Sequence, residues 1–248
     1  MSKQAPVSEA LKNRVILITG AYGGLGRELS LACAKQGATV LLLGRSMPHL
    51  EKLYDEIEEA GAPQPGIIPL DLEGATPKDY DDIAATIEKE FGQLNGLIHC
   101  AAQLGSLTPV PLYTMQDWQK VMLTNMTGPL ALTQALLPLL DRSAMASLLF
   151  TLDDHNTAYW GAYGVSKAAL RSMARILADE QENLVDENGY PRVSVNMINP
   201  GPMRTRLRAK AFPGEQPEEV PPPSEKVAAF VELIARADPK LTCADIRL

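Results

Sequence analysis

A tyrosine and a lysine stand four residues apart within one predicted helix. Tyr163 and Lys167 therefore share one helix face. A free tyrosine has a pKa of about 10, too high for easy proton exchange at neutral pH, and a neighbouring ammonium lowers it. The spacing predicts that Tyr163 exchanges a proton with a substrate oxygen as a general acid or base. The alternative is an aromatic side chain on a helix face beside a solvated charge.

A glycine-rich turn near the start of the chain predicts a phosphate site. A β-branched apolar run over 14–19 stops at Gly20, and an apolar helical segment follows the further glycines. A helix N-terminus offers unpaired N–H groups, and glycines let the backbone approach a pyrophosphate. The candidate dinucleotide contacts in this turn are Gly20, Tyr22, Gly24, Leu25 and Gly26. A plain βα turn that tolerates glycine is the alternative.

The elements that must position these groups alternate between strand and helix. Strands are predicted over 14–19, 39–44, 67–72, 97–102, 147–151, 193–199 and 243–248, and helices over 24–36, 50–60, 79–91, 115–123, 130–140, 161–183 and 224–236. This order predicts an α/β fold with a doubly wound parallel sheet of about seven strands and helices on both faces. We expect one domain over 1–248, with a frayed lead-in at 1–13 and a mobile substrate flap at 204–223.

Composition narrows the class of protein. The 248 residues are 46% hydrophobic, which suits one domain with a sizeable core. The net charge of −7 gives no support for nucleic-acid binding, and no apolar run or N-terminal signal predicts a membrane span or export. Cys33, Cys100 and Cys243 lie apart in apolar segments and are predicted to be buried, reduced thiols of a cytoplasmic protein. The three histidines lack zinc-site spacing, so no metal is predicted.

Four landmarks in order carry a family resemblance. They are Thr19-Gly20-x-x-x-Gly24-x-Gly26, Asn125, Tyr163-x-x-x-Lys167 and the segment from Asn199 to Thr205. The chain resembles single-domain short-chain dehydrogenases/reductases (SDRs) over nearly its whole length, and is most similar to the bacterial YciK-like oxidoreductases. The resemblance implies a Rossmann fold and hydride transfer between a nicotinamide and a carbonyl or alcohol substrate. It also implies that Lys167 holds the nicotinamide ribose and that Asn125 supports a proton-relay water.

Arg45 favours NADP(H) over NAD(H). An acid at the end of strand two usually binds the ribose 2′-OH, whereas an Arg accommodates a 2′-phosphate, and here the strand ends Gly44-Arg45. The alternative is a solvated Arg, and NADP-using relatives often carry a basic residue where this chain has Gly23. The resemblance implies further cofactor contacts at Asp71, Leu72, Ala101, Ala102, Lys167, Pro200, Gly201, Met203 and Thr205.

Two positions depart from the family pattern. His99 stands where the family has Asn, and we interpret it as structural. Asp153 falls, by counting from strand five, where the family has a Ser that donates to the substrate carbonyl. An ionised carboxylate there would repel a developing alkoxide and raise the pKa of Tyr163, whereas a protonated Asp could donate. Thr151 or Thr157 is the other candidate donor.

The missing serine leaves an alternative function open. The chain could be an SDR-fold nucleotide-binding protein with impaired or no catalysis, and an unrelated doubly wound nucleotide binder is the third possibility. Small apolar residues in the helices over 115–140 and 161–183, which pair across a two-fold axis in the family, predict a homodimer or homotetramer.

Overall fold

The computed structural model describes residues 9–236 and 238–248. Its strands are β1 (Val15–Thr19), β2 (Thr39–Gly44), β3 (Gly66–Pro69), β4 (Gly96–His99), β5 (Ala146–Thr151), β6 (Val193–Asn199) and β7 (Asp245–Arg247). They form one sheet in the order β3-β2-β1-β4-β5-β6-β7, and every pairing is parallel. The order reverses between β1 and β4, where parallel α/β sheets open a crevice at their carboxyl edge. The predicted fold class is confirmed.

Helices cover both faces of the sheet. They are α1 (Gly24–Lys35), α2 (Met47–Glu59), α3 (Pro77–Phe91), α4 (Met115–Met122), α5 (Gly128–Arg142), α6 (Gly161–Glu182), α7 (Arg206–Ala211) and α8 (Val227–Ala235). Successive side chains of a strand point to opposite faces. Accordingly Val15 and Leu17 pack with α3, α5 and α6, whereas Ile16 and Ile18 pack with α1, α2 and α8. Both faces of the central strands are buried, as their continuous apolar runs predicted.

The predicted frayed lead-in is wrong where the structure describes it. Residues 1–8 lie outside the described residues. Leu11, in contrast, is fully buried in the core, and its N–H donates to the carbonyl oxygen of Gln36 at 3.0 Å. The apolar side chain therefore ties the segment before β1 to the end of α1.

The segment over 204–223, predicted as a mobile flap, contains local helical structure. Thr205 caps α7 by accepting the N–H of Arg208 at 3.1 Å, and a short 3₁₀ turn follows at Pro217–Glu219. Val220 is buried and holds the C-terminal part of this segment in place. Mobility of this segment stays a prediction.

The break predicted between α4 and α5 is wrong. A π-helical segment over Leu123–Thr127 joins the two helices without interruption. Single π turns inside α-helices place an extra residue in the turn and are frequent at functional sites. Here the π segment contains Asn125, whose side chain is buried.

In the part of the chain that the structure describes, no helix is both long and apolar enough to cross a membrane.

The three cysteines differ in exposure. Cys33 is buried, whereas Cys100 is half-buried and Cys243 is exposed. The prediction of three buried thiols is therefore wrong for Cys243.

Candidate active site

A cleft of about 1240 Å³ lies along the carboxyl edge of the sheet. The first residues after six strands meet there, because parallel strands all end at the same edge. All fifteen predicted cofactor contacts line this cleft: Gly20, Tyr22, Gly24, Leu25, Gly26, Arg45, Asp71, Leu72, Ala101, Ala102, Lys167, Pro200, Gly201, Met203 and Thr205. Tyr163 and Asp153 line it too, whereas Asn125 lies buried outside the lining.

The glycine turn brings backbone close to backbone. Gly20 has φ +65°, and a Cβ on it would lie 2.9 Å from Cα of Ala101. A Cβ on Gly26 would overlap the carbonyl oxygen of Gly20, and one on Gly24 would lie 2.7 Å from Cγ2 of Thr205. The first turn of α1 carries no acidic residue and no side-chain cap. The turn is therefore a cradle whose N–H groups suit an anion.

A buried threonine fixes the strand ends beside this cradle. The hydroxyl oxygen of Thr19 accepts the N–H groups of Cys100 and Ala101, at 3.0 and 3.1 Å. These contacts join the end of β1 to the end of β4, and they fix the backbone at Ala101, which packs against Gly20. Sequence reasoning placed Thr19 in the glycine motif without foreseeing this role.

A cationic and aromatic group borders the far end of the cleft. Arg45 is exposed at the end of β2, and the Tyr22 ring lies where a Cβ on Gly44 would have to go. The ring of His49 stacks on Tyr22 at 5.1 Å between centroids, and Oγ of Ser46 lies 2.7 Å from its Nδ1. The geometry thus adds His49 to the sequence-predicted set around Arg45.

Asp153 lies directly against the phenol of Tyr163. The Tyr163 hydroxyl donates to Oδ2 of Asp153 at 2.9 Å. Oδ1 of Asp153 accepts the N–H of Asp154 at 2.8 Å and lies 2.6 Å from Nδ1 of His155. The carboxyl group thus occupies the neighbourhood that counting along the chain had assigned to it.

Burial and this carboxylate act in the same direction on Tyr163. The pKa of Tyr163 lies well above its ordinary value, first because the ring is buried and then because Asp153 disfavours a phenolate. The predicted effect of Asp153 is confirmed in direction. The predicted lowering by Lys167 does not prevail over these two causes. Burial also lowers the pKa of Lys167 itself.

Lys167 is held deep beside the tyrosine. Its side chain is 3% exposed, its Nζ donates to the carbonyl oxygen of Thr151 at 2.9 Å, and Nζ lies 5.9 Å from the centre of the Tyr163 ring. The one-turn spacing on α6 therefore brings the two side chains together as the sequence predicted. A buried ammonium with one protein acceptor retains donors for a bound molecule.

Asn125 belongs to a buried polar chain. Its Nδ2 donates to the carbonyl oxygen of Gln103 at 2.9 Å and to Oγ of Ser166 at 3.0 Å, and its Oδ1 accepts the N–H of Gln103 at 2.7 Å. Ser166 lies between Tyr163 and Lys167 on α6 and donates to the carbonyl oxygen of Tyr163. Asn125 thus ties the loop after β4 to the helix that bears the tyrosine.

Comparison with known proteins decides the family. The model of the short chain dehydrogenase family matches residues 14–216. This chain belongs to the short-chain dehydrogenase family. It is 39% identical to the oxidoreductase YciK of Escherichia coli over 232 residues, covering 92% of this chain and 89% of that protein.

Solved structures of this SDR family support the same assignment. A Shigella flexneri short chain dehydrogenase complexed with NADP is 37% identical, with a TM-score of 0.91 over 97% of this chain and 98% of that one. An Escherichia coli short chain dehydrogenase complexed with NADPH is 38% identical, with a TM-score of 0.91 over 98% and 99% of the two chains. The resemblance to the YciK-like group is confirmed, and the non-catalytic alternative finds no support among these relatives.

His99, one departure from the SDR pattern, is structural. The side chain is 2% exposed, its Nε2 lies 2.8 Å from Oγ1 of Thr133, and its ring stacks on Phe150 at 4.9 Å. Burial lowers its pKa to about 3, with a smaller contribution from Lys167. A neutral, packed imidazole of this kind matches the interpretation made from the sequence.

The two threonines that were candidate donors to the substrate carbonyl lie in different places. Thr151 lines the cleft, and its buried hydroxyl oxygen has no hydrogen-bond partner among the described residues. Thr157 is exposed and does not line the cleft. Thr151 therefore remains the only one of the two threonines within reach of the cleft.

Sequence reasoning missed an aromatic wall beside Tyr163. The ring of Trp160 lies 3.6 Å from that of His155, 5.6 Å from Tyr163 and 5.7 Å from Phe212, between ring centroids. Phe212 follows α7, so these contacts bring the segment over 204–223 against the loop after β5. Trp160 and Tyr163 are three residues apart at the start of α6, but only tertiary packing brings Phe212 to them, and no spacing in the sequence signals that contact.

An ion-pair network also fixes the loop that follows β5. Arg171 on α6 binds both Asp154 and Asp245, and Asn199 donates to Asp154 at 2.9 Å. Arg247 pairs with Asp154 at 3.2 Å. The residue next to Asp153 is thereby tied to the end of β6 and to β7.

Proposed function

We propose that this protein is an NADP(H)-dependent oxidoreductase that acts on a carbonyl/alcohol pair, with Tyr163 as the proton donor. The observation that carries the proposal is the position of a buried phenol in the same cleft as the glycine cradle and Arg45. When bound, the nicotinamide would supply or accept the hydride. The NADP and NADPH complexes of the two solved relatives support the choice of cofactor.

The main predicted residues have separate tasks in this proposal. The backbone of the glycine turn and the N-terminus of α1 would bind the pyrophosphate, with Thr205 beside Gly24. Arg45 would bind the 2′-phosphate by charge-assisted hydrogen bonds. Lys167 would orient the ribose next to the nicotinamide, and Asn125 would position the loop and α6 around the reacting centre. Tyr163 would give its proton to the substrate oxygen.

Replacing Arg45 by Ala tests the cofactor preference. We expect wild type to bind NADPH more tightly than NADH, and Arg45→Ala to lose about 10- to 100-fold in NADPH affinity with little change for NADH, since charge-assisted hydrogen bonds contribute roughly 1.5–3 kcal/mol. Calorimetric titration measures both affinities. Arg142→Ala, on the exposed end of α5, is the matched control. Equal wild-type affinities for the two nucleotides would contradict the proposal.

We infer that two copies pair through α5 and α6. These helices and the π segment leave Leu123, Leu130, Val165 and Ile176 exposed, and Ile176 is 58% exposed. Such a set of apolar side chains is typical of an interface. Sedimentation should give a dimer or tetramer at micromolar concentration, and Ile176→Glu should shift it toward monomer. Phe91→Glu on α3 is the control, and a monomeric wild type would refute the pairing. A cytoplasmic location stays a prediction from the sequence.

A further inference from the structure

The groups around the phenol oxygen of Tyr163 accept hydrogen bonds. The phenol uses its only proton in the hydrogen bond that it donates to Oδ2 of Asp153. On the other side, Oδ1 of Asp153 accepts the N–H of Asp154, which can only donate. These contacts suit an ionised carboxylate. The phenol oxygen and the carboxylate therefore present lone pairs, and a substrate atom that reacts beside them is best matched by a donor.

A carbonyl substrate fits this arrangement poorly. Its oxygen brings no proton and develops negative charge during reduction, next to a carboxylate that repels it. Proton donation by Tyr163 would also leave a phenolate 2.9 Å from Asp153. Burial is the main reason that the pKa of Tyr163 is raised, and the repulsion from Asp153 raises this pKa further.

We propose that the preferred substrate class of this site is a protonated imine, whose C=N–H⁺ group donates its hydrogen bond to Asp153. The inference rests on the proposed NADPH-dependent hydride transfer. It changes the preferred hydride acceptor from a carbonyl to an imine and, for that substrate, removes the need for Tyr163 to donate a proton. The imine carbon takes the hydride, the π electron pair moves onto nitrogen, and the positive charge on nitrogen is neutralised. The proton already on nitrogen stays there. Tyr163 therefore does not have to form a phenolate.

Two of the cations that line the cleft, Lys167 and Arg208, have hydrogen-bond acceptors within the protein. Lys167 is buried and donates to the carbonyl oxygen of Thr151 at 2.9 Å, and burial lowers its pKa although the charge of Asp153 acts in the opposite direction. Arg208 binds Glu215 through two hydrogen bonds of 2.7 and 2.6 Å. His155 contacts Asp153 through Nδ1, and when protonated it would compete with the substrate for that carboxylate.

The aromatic wall suggests the shape of a probe. Trp160 packs between Tyr163 and Phe212, and its indole can cover a flat ring. The cyclic imine 3,4-dihydroisoquinoline and the ketone 1-tetralone are bicyclic compounds of nearly equal size. Their reacting double bonds end in a ring nitrogen and in an oxygen outside the ring, respectively, and the benzene ring beside the reacting carbon is common to both.

The experiment compares both probes, with NADPH, on wild type, Asp153→Asn and Asp153→Ser. Asp81→Asn on the exposed face of α3 is the charge-matched control. Wild type should reduce the imine at least about 10-fold better than the ketone in kcat/KM. Asp153→Asn should lose about 10- to 100-fold with the imine, as expected for a charge-assisted hydrogen bond. Asp153→Ser should lose imine activity and gain ketone activity, because a hydroxyl can donate.

A binding measurement gives a second readout without turnover. In the presence of NADPH, calorimetric titration with 1,2,3,4-tetrahydroisoquinolinium should show weaker binding to Asp153→Asn than to wild type, and no change for Asp81→Asn. NADPH affinity close to that of wild type shows that each variant is folded. A wild type that binds NADPH and prefers 1-tetralone, or an Asp153→Asn variant with full imine activity, would overturn the inference and leave the proposed function standing. Failure of wild type to bind NADPH would overturn both.

Discussion

Tyr163→Phe is expected to lower kcat for carbonyl reduction by about 10²- to 10⁴-fold, the usual contribution of a positioned general acid. The substitution removes one hydroxyl from a side chain that is 4% exposed, and the ring keeps its packing against Trp160. NADPH affinity should therefore stay within about twofold of wild type. The loss should occur in the wild-type and the Asp153→Ser backgrounds alike. Stopped-flow kinetics with 1-tetralone and a fluorescence titration with NADPH measure the two quantities.

Imine reduction separates the role of the Tyr163 phenol as a proton donor from its other contacts in the site. A protonated imine brings its own proton, so Tyr163→Phe should lose much less with 3,4-dihydroisoquinoline than with 1-tetralone. Tyr159→Phe, which alters an exposed phenol in the loop before α6, should leave both rates unchanged. Full ketone activity in Tyr163→Phe would show that another group donates the proton, and Thr151 would be the next candidate.

Gly26→Ala is expected to damage both the fold and nucleotide binding. The new methyl would overlap the carbonyl oxygen of Gly20, which is backbone and cannot rotate away. Moving the turn should lower the free energy of unfolding by about 1–3 kcal/mol, as overpacking does. The first turn of α1 would move with it, and we expect NADPH affinity to fall more than about 10-fold. Urea denaturation and calorimetry measure these effects.

A second glycine serves as the matched control for this prediction. Gly74 lies in a turn without a positive φ, and a methyl group added to it would meet no heavy atom within 4 Å among the described residues. Gly74→Ala should therefore change neither the free energy of unfolding nor the NADPH affinity. Wild-type NADPH affinity in Gly26→Ala would mean that the close approach of the two glycines does not shape the phosphate site.

The strands were predictable because burial on both faces leaves a simple signal. The runs that form β1 and β2 are continuously apolar, and their predicted bounds end at the observed residues, Thr19 and Gly44. The predicted third and fourth strands ran past Pro69 and His99, because apolar residues continue into the cleft lining. Hydrophobicity marks burial, and the residues that face the cleft share that property without pairing in the sheet.

Site residues that lie on one helix or at one strand end could be predicted from the sequence, whereas contacts between separate elements could not. Tyr163 and Lys167 meet because one helix carries both, and Asp153 follows from a count along β5. The stack of His49 on Tyr22 joins two elements. Contacts of this second kind depend on how elements pack, and no local pattern distinguishes His49 from any other exposed histidine.

The π segment over Leu123–Thr127 limits how this chain can change its length. Successive residues of an α-helix turn by about 100°, and the π segment absorbs one residue more than an α turn would. Deleting one residue there would let α4 and α5 merge into one regular helix whose outer faces keep their present directions, because the π segment already absorbs the extra residue. Val121 would stay in the core, whereas Asn125 would lose the widened turn that places it against Gln103 and Ser166. The number of residues in this run therefore determines where Asn125 lies, and the packing of α4 and α5 depends on it much less.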